Sequence, residues 1–173
     1  MDKKAVLLIG DGVSVTDLRY ASGFSAPDDF LYMECGEKKI CAVSALEYNR
    51  AVASAAPGVE VRRTTSNHLE TVRTLCQEMG VSGVIVPSAF PVGMAQKIKS
   101  AGLTLEISET ELYPEREFKS SDELQKIITS LRAAEAGCRR AIEVLKESSI
   151  TRERTLFWQG KPLTSELLRA EVD

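Results

Sequence analysis

Short apolar runs separated by turn residues fill the first two-thirds of the chain. Ala5–Ile9 has the character of a buried strand and closes at Gly10-Asp11-Gly12. Phe30–Cys35 and Lys38–Val43 flank Gly36-Glu37, and two β-rich runs joined by so small a turn predict a hairpin. Ala45–Ala56 is helical in composition and stops at Pro57-Gly58. Val59–Arg62 predicts a further strand. Thr65, Ser66 or Asn67 can cap the helix that follows, where Leu69, Val72, Leu75, Cys76 and Met79 share one face and Gly80 ends it. Gly83–Pro87 again reads as a buried strand. Pro91 starts a helix that runs to Ala101 and ends at Gly102, and Leu103–Ile107 is the next strand. Alternation of this kind predicts an α/β layer structure. Its sheet should be mixed and flanked by helices, because a hairpin is antiparallel while crossovers favour parallel neighbours.

The pattern changes at Tyr113-Pro114. Ser120 and Glu123 have capping-box spacing, in which each side chain satisfies an otherwise orphaned backbone N–H. Behind them Leu124, Ile127, Ile128, Leu131, Ala134, Cys138, Ala141, Ile142 and Leu145 keep one apolar stripe over about six helical turns. Such a helix exceeds what a small sheet needs for cover and is expected to pack on something else. The tail carries Leu156-Phe157-Trp158 and Gly160-Lys161-Pro162, then a last amphipathic helix over Leu163–Val172 capped by Thr164 or Ser165.

Composition narrows the function. A chain of 173 residues, 43% apolar and 27% charged, fits one globular domain or one domain with an appendage. Its net charge of −3 gives no electrostatic footprint for nucleic acid or anionic membrane. No apolar run is long enough to span a bilayer. Lys3 and Lys4 precede an apolar stretch too short for a signal peptide, so a cytoplasmic protein is expected. The four cysteines form no C-x-x-C pair and His68 is the single histidine, which excludes a finger-type zinc site. Cys76 and Cys138 lie on apolar helix faces, where a free thiol acts as a small hydrophobe.

Other candidate chemistry is thin. Gly10-Asp11-Gly12 lacks the spacing that cradles phosphate. Ser14 and Ser88 have no histidine nearby in sequence, and His68 stands at a helix start without convergent partners. Asp28-Asp29, Glu109 and Glu111 read as solvated loop charges, and Arg139-Arg140 as a solvent or domain-interface face.

Three separated stretches resemble the creatinase, prolidase and Xaa-Pro aminopeptidase family. They are Asp17-Leu18-Arg19-Tyr20-Ala21-Ser22-Gly23-Phe24, Ala45-Leu46-Glu47-Tyr48-Asn49-Arg50-Ala51, and Arg116-Glu117-Phe118-Lys119-Ser120-Ser121-Asp122-Glu123-Leu124 with Ala133-Ala134. Gly160–Glu166 is similar to an early segment of the family's catalytic half. The resemblance implies a ribonuclease-H-like, creatinase-type N-terminal domain over 1–115. It implies a linker helix and the start of a catalytic domain over 116–173. That catalytic half would hold two divalent metal ions (Mn, Co or Zn) on two aspartates, a histidine and two glutamates, a ligand set this sequence lacks. The chain by itself is therefore expected to be inactive, with no cofactor of its own.

The resemblance further implies partnership with its own catalytic domain and a homodimer or higher homo-oligomer. It also implies that Asp17, Arg19, Tyr20 and Phe24 form a loop near an active-site mouth, governing substrate access. In the purely structural alternative Asp17 caps a turn, Arg19 pairs locally, and Tyr20 and Phe24 are core. Two further readings remain: a stand-alone binding or assembly module, and the N-terminal half of a creatinase-like amidinohydrolase.

Overall fold

Strand β1 (Lys4–Gly10) lies within a six-stranded sheet built almost wholly from the runs that the apolar pattern marks out. The structure is a computed structural model and describes residues 3–65 and 67–173. After β1 come helix α1 (Thr16–Ser22), the hairpin of β2 (Phe30–Cys35) and β3 (Lys38–Val43), α2 (Tyr48–Ser54) and β4 (Val59–Arg63). Then follow α3 (His68–Met79), β5 (Gly83–Val86), α4 (Val92–Ser100) and β6 (Thr104–Ile107). The strand order is β4-β3-β2-β1-β5-β6. Both neighbours of β2 run antiparallel to it, and the remaining pairings are parallel. The sheet is mixed, as the hairpin and crossovers require.

Alternation along the strands sorts side chains to two faces. Leu7, Leu31, Met33, Ile40 and Val84 lie on one side, where Val72, Leu75 and Cys76 of α3 and Ile98 of α4 cover them. Leu8, Phe30, Tyr32, Cys41 and Val43 lie on the other, beneath Leu18 of α1 and Ala51 of α2. The result is a helix–sheet–helix sandwich. Asn67 caps α3 by accepting from the Glu70 amide, and Gly80 closes that helix with a left-handed backbone. Ser66, the other candidate cap with Thr65, lies outside the described residues. Burial pushes the Cys41 thiol up to about 12 and raises that of Cys76, as expected of inert core cysteines.

Two elements differ from the sequence reading. The helix expected from Ala45 begins only at Tyr48, because residues 45–47 form a turn that leaves Leu46 exposed. Asp17–Ser22, expected as a loop, lies within α1.

The chain divides into two compact units, one ending at Arg116 and one running Glu117–Asp173. In the second unit α5 (Ser121–Glu147) opens with a complete capping box between Ser120 and Glu123. Three short strands follow, β7 (Ser149–Ile150), β8 (Leu156–Trp158) and β9 (Lys161–Pro162), then α6 (Ser165–Val172), capped by Thr164. Residues 149–162 were not read as a sheet in sequence. Strands of two and three residues carry no usable period, and the turns rest on positive φ at Arg154 and Gln159. Arg140, expected on a solvent or domain-interface face, pairs with Glu171 of α6 and stacks over Trp158 at 5.6 Å. The Trp158 indole N–H donates to Glu147 at 2.9 Å. Cys138 is exposed, which corrects its expected place as a packed hydrophobe. Leu124, Ile127, Ile128, Leu131, Ile142 and Leu145 are also exposed, so the second unit by itself leaves most of the α5 stripe uncovered.

Candidate functional site

Asp11 organises the chain where it leaves β1. Its carboxylate accepts from the amides of Val13 and Ser14, both at 2.8 Å, and from the Ser14 hydroxyl. Those bonds, the hydroxyl foremost, hold the carboxyl below the usual range. Ser14 is thereby tied into a turn, its hydroxyl held by the same carboxylate that orders the backbone. Gly10-Asp11-Gly12 is thus the structural turn that its spacing implied.

α1 starts a few residues later. Leu18 anchors it in the core, and the Ser22 hydroxyl donates to the Leu18 carbonyl at 2.6 Å. Gly23 ends the helix at φ 73°, its amide donating to the Arg19 carbonyl at 2.9 Å. Phe24 is only 2% exposed and meets Phe30 edge-on at 5.2 Å, so it braces the helix from within. The side chains of Arg19 and Tyr20 reach the surface, Tyr20 being 40% exposed. Asp17 caps no turn; its side chain is 15% exposed and forms an ion pair with Arg116.

A second set of bonds surrounds that pair. The Tyr20 ring lies 5.8 Å from the ring of Tyr113. Tyr113 donates its hydroxyl to Glu34 at 2.9 Å, and Tyr32 donates to the other oxygen of the same carboxylate at 2.7 Å. Tyr32 and Glu34 share a face because they are two residues apart on β2. Burial, then the neighbouring Glu34 charge, raises the ionisation of both phenols, so each stays a hydrogen-bond donor at neutral pH. Residues 113–116, the last of the first unit, are thereby latched to α1 and β2.

The place is also informative topologically. From β1 the chain proceeds towards β2, whereas β5 lies on the other side of β1 and continues to β6. Crevices at such a switch, beyond the carboxyl ends of parallel strands, are the usual ligand sites of open α/β sheets. A cavity of about 160 Å³ opens there, with Ile9, Val15 and Phe90 as apolar walls and Ser14, Thr16 and Asp17 as polar ones. The arrangement can hold and orient a small group. Among the described residues no group of three or more His, Cys, Asp or Glu could hold a metal ion, so the residues present do not fit a two-metal centre. His68 begins α3, with its Nδ1 buried and unpartnered among the described residues.

Sequence reasoning singled out Asp17, Arg19, Tyr20 and Phe24 but gave no role to Glu34. Its sequence signal is the Tyr32-x-Glu34 alternation; the Tyr113 half of the cluster is 79 residues away.

No family model matches the sequence, and no curated protein matches it. Solved structures do. The X-Pro aminopeptidase from Thermotoga maritima superposes with a TM-score of 0.74 at 13% identity, over 98% of this chain and 46% of that one. The prolidase from Pyrococcus horikoshii gives 0.63 at 23% identity, over 88% of this chain and 42% of its own. The fold is that of Xaa-Pro aminopeptidases and prolidases, over part of their length. An aminopeptidase P from Streptococcus thermophilus, a shorter solved chain, matches 61% of this chain and 79% of its own, with a TM-score of 0.52 at 12% identity. The chain therefore spans less than half the length of the first two peptidases. At these identities the likeness to the Xaa-Pro peptidases is one of fold. No helix among the described residues is long and apolar enough to cross a membrane.

Proposed function

We propose that this chain is the non-catalytic N-terminal part of a cytoplasmic Xaa-Pro peptidase, and that α1 forms one wall of the passage by which peptides reach a catalytic half. The observation that carries this reading is the structural match itself: nearly all of this chain superposes on under half of an X-Pro aminopeptidase. Hydrolysis would be metal-dependent, with the metal held by the catalytic half, while Arg19 and Tyr20 present a cation and an aromatic edge to the peptide. Asp17 positions α1 through Arg116, and Phe24 supports it from the core. The apolar face of α5 gives the catalytic half a surface to pack on, since an exposed patch of this kind marks an association site.

In a peptidase assembled from this chain and its catalytic half, Arg19→Ala and Tyr20→Ala are expected to raise KM for Xaa-Pro peptides several-fold. Little change in kcat or metal content should accompany that rise, because the lost contacts bind ground and transition states alike. Steady-state kinetics with peptides of increasing length checks this. Unchanged KM in both variants would remove α1 from the passage. The stand-alone assembly-module reading rests on the same α5 face, and gains if that face binds a partner that has no peptidase activity.

A further inference from the structure

β4 is an edge strand, bound on one side to β3 and open on the other among the described residues. The Thr64 amide donates to the Val43 carbonyl of β3. Backbone groups alternate sides along a strand, so Glu60 and Arg62 also turn theirs inward, while Val61 and Arg63 aim N–H and C=O outward. An edge of this kind invites another strand.

The sequence of β4, Val59-Glu60-Val61-Arg62-Arg63, is complementary to itself. Rotating a second copy by a twofold axis through Val61 lays it antiparallel, with all five residues paired. Val61 then faces its own copy across a hydrogen-bonded pair, and Glu60 lies opposite Arg62 twice. Matching the sheet faces allows register shifts of two residues only. Either such shift sets Glu60 against Glu60 or Arg62 against Arg62, and pairs fewer residues. Opposite charges directly across an antiparallel pair stabilise it and like charges do the reverse.

Arg62 is already held in place by Glu60 of its own strand and by Glu78 of α3. Glu60 remains 54% exposed and Arg62 30% exposed, so both can meet a facing strand. We propose that two copies of the chain pair through β4 in the register centred on Val61, joining their sheets into one. The proposal does not depend on the peptidase reading. Self-association of this kind should be weak and concentration-dependent, because a single short strand buries less than a standard interface.

The test is light scattering and sedimentation equilibrium on the full chain over a range of concentrations. Circular dichroism confirms the fold of each variant. Glu60→Arg alone and Arg62→Glu alone should each weaken self-association about tenfold or more, since each sets like charges face to face twice. An equimolar mixture of these two variants should associate again as a heterodimer, because every facing pair is then opposite in sign. Val61→Pro removes an outward-facing amide without touching the β3 pairing, and should also leave a monomer. A wild-type chain that is monomeric at every concentration overturns the proposal. So does a dimer that both single swaps leave unchanged, which would place the contact elsewhere, for instance on α5. Failure of the mixed variants to associate overturns the register.

Discussion

Gly23→Ala is expected to destabilise the sheet-bearing unit by roughly 3 kcal/mol, combining a left-handed backbone cost of about 1–2 with overpacking of about 1–3. Gly23 sits at φ 73°, where a side chain is strained whatever the space. Space is also absent. A Cβ there would lie 2.5 Å from the Ala56 amide nitrogen and 3.0 Å from the Ser54 carbonyl oxygen. These are backbone atoms at the end of α2, which cannot rotate away. The Ser22 carbonyl accepts from the same Ala56 amide at 2.8 Å, so the substitution strains the contact that seats α1 against α2. Because α1 carries Asp17, Arg19 and Tyr20, the loss should reach the site as well as the fold. Urea unfolding followed by circular dichroism reads it as a lower midpoint with an unchanged slope. A midpoint equal to wild type would show that the α1–α2 contact yields freely.

The second large effect is alkaline. Both Tyr113 and Tyr32 have ionisation raised in the folded chain above the ordinary value of 10.0, by burial first and by Glu34 next. Below pH 10 each phenol is protonated folded or unfolded, and the native hydrogen bonds to Glu34 are intact. Above it the unfolded chain gives up protons that the folded chain keeps, so stability falls as pH rises. Tyr113→Phe should therefore act in two ways. At neutral pH it removes a hydrogen bond to a charged acceptor, at a cost of about 1.5–3 kcal/mol. Between pH 10 and 11.5 its stability should fall less steeply than that of wild type, since one of the raised phenols is gone. Parallel urea titrations at neutral and alkaline pH check both. Equal alkaline slopes for variant and wild type would mean that the Tyr113 phenol titrates as if exposed.

Much of the fold was legible because its signals are local. The β2–β3 hairpin is announced by Gly36-Glu37, α3 by its stripe from Leu69 to Met79, and α5 by Ser120 and Glu123. Element α1 was not legible as a helix. It is seven residues long, and its N-cap residue Val15 makes no side-chain capping bond. What holds it is distant in sequence: the Asp17–Arg116 pair spans 99 residues. The site was half legible for the same reason. Motif likeness picked out Asp17, Arg19 and Tyr20, but the Glu34 carboxylate shared by Tyr32 and Tyr113 exists only once β2 and residue 113 are brought together. Cys138 misled because its position on the apolar stripe says nothing about whether that stripe is covered.

The central claim is that this chain carries the fold and the passage wall of an Xaa-Pro peptidase without its chemistry. The most direct measurement is hydrolysis of an Xaa-Pro peptide by the purified chain after loading with Mn²⁺, Co²⁺ or Zn²⁺ and dialysis, with retained metal quantified on the same sample. The account predicts no turnover and no stoichiometric metal. Stoichiometric retained metal, with turnover that a chelator abolishes, would contradict it.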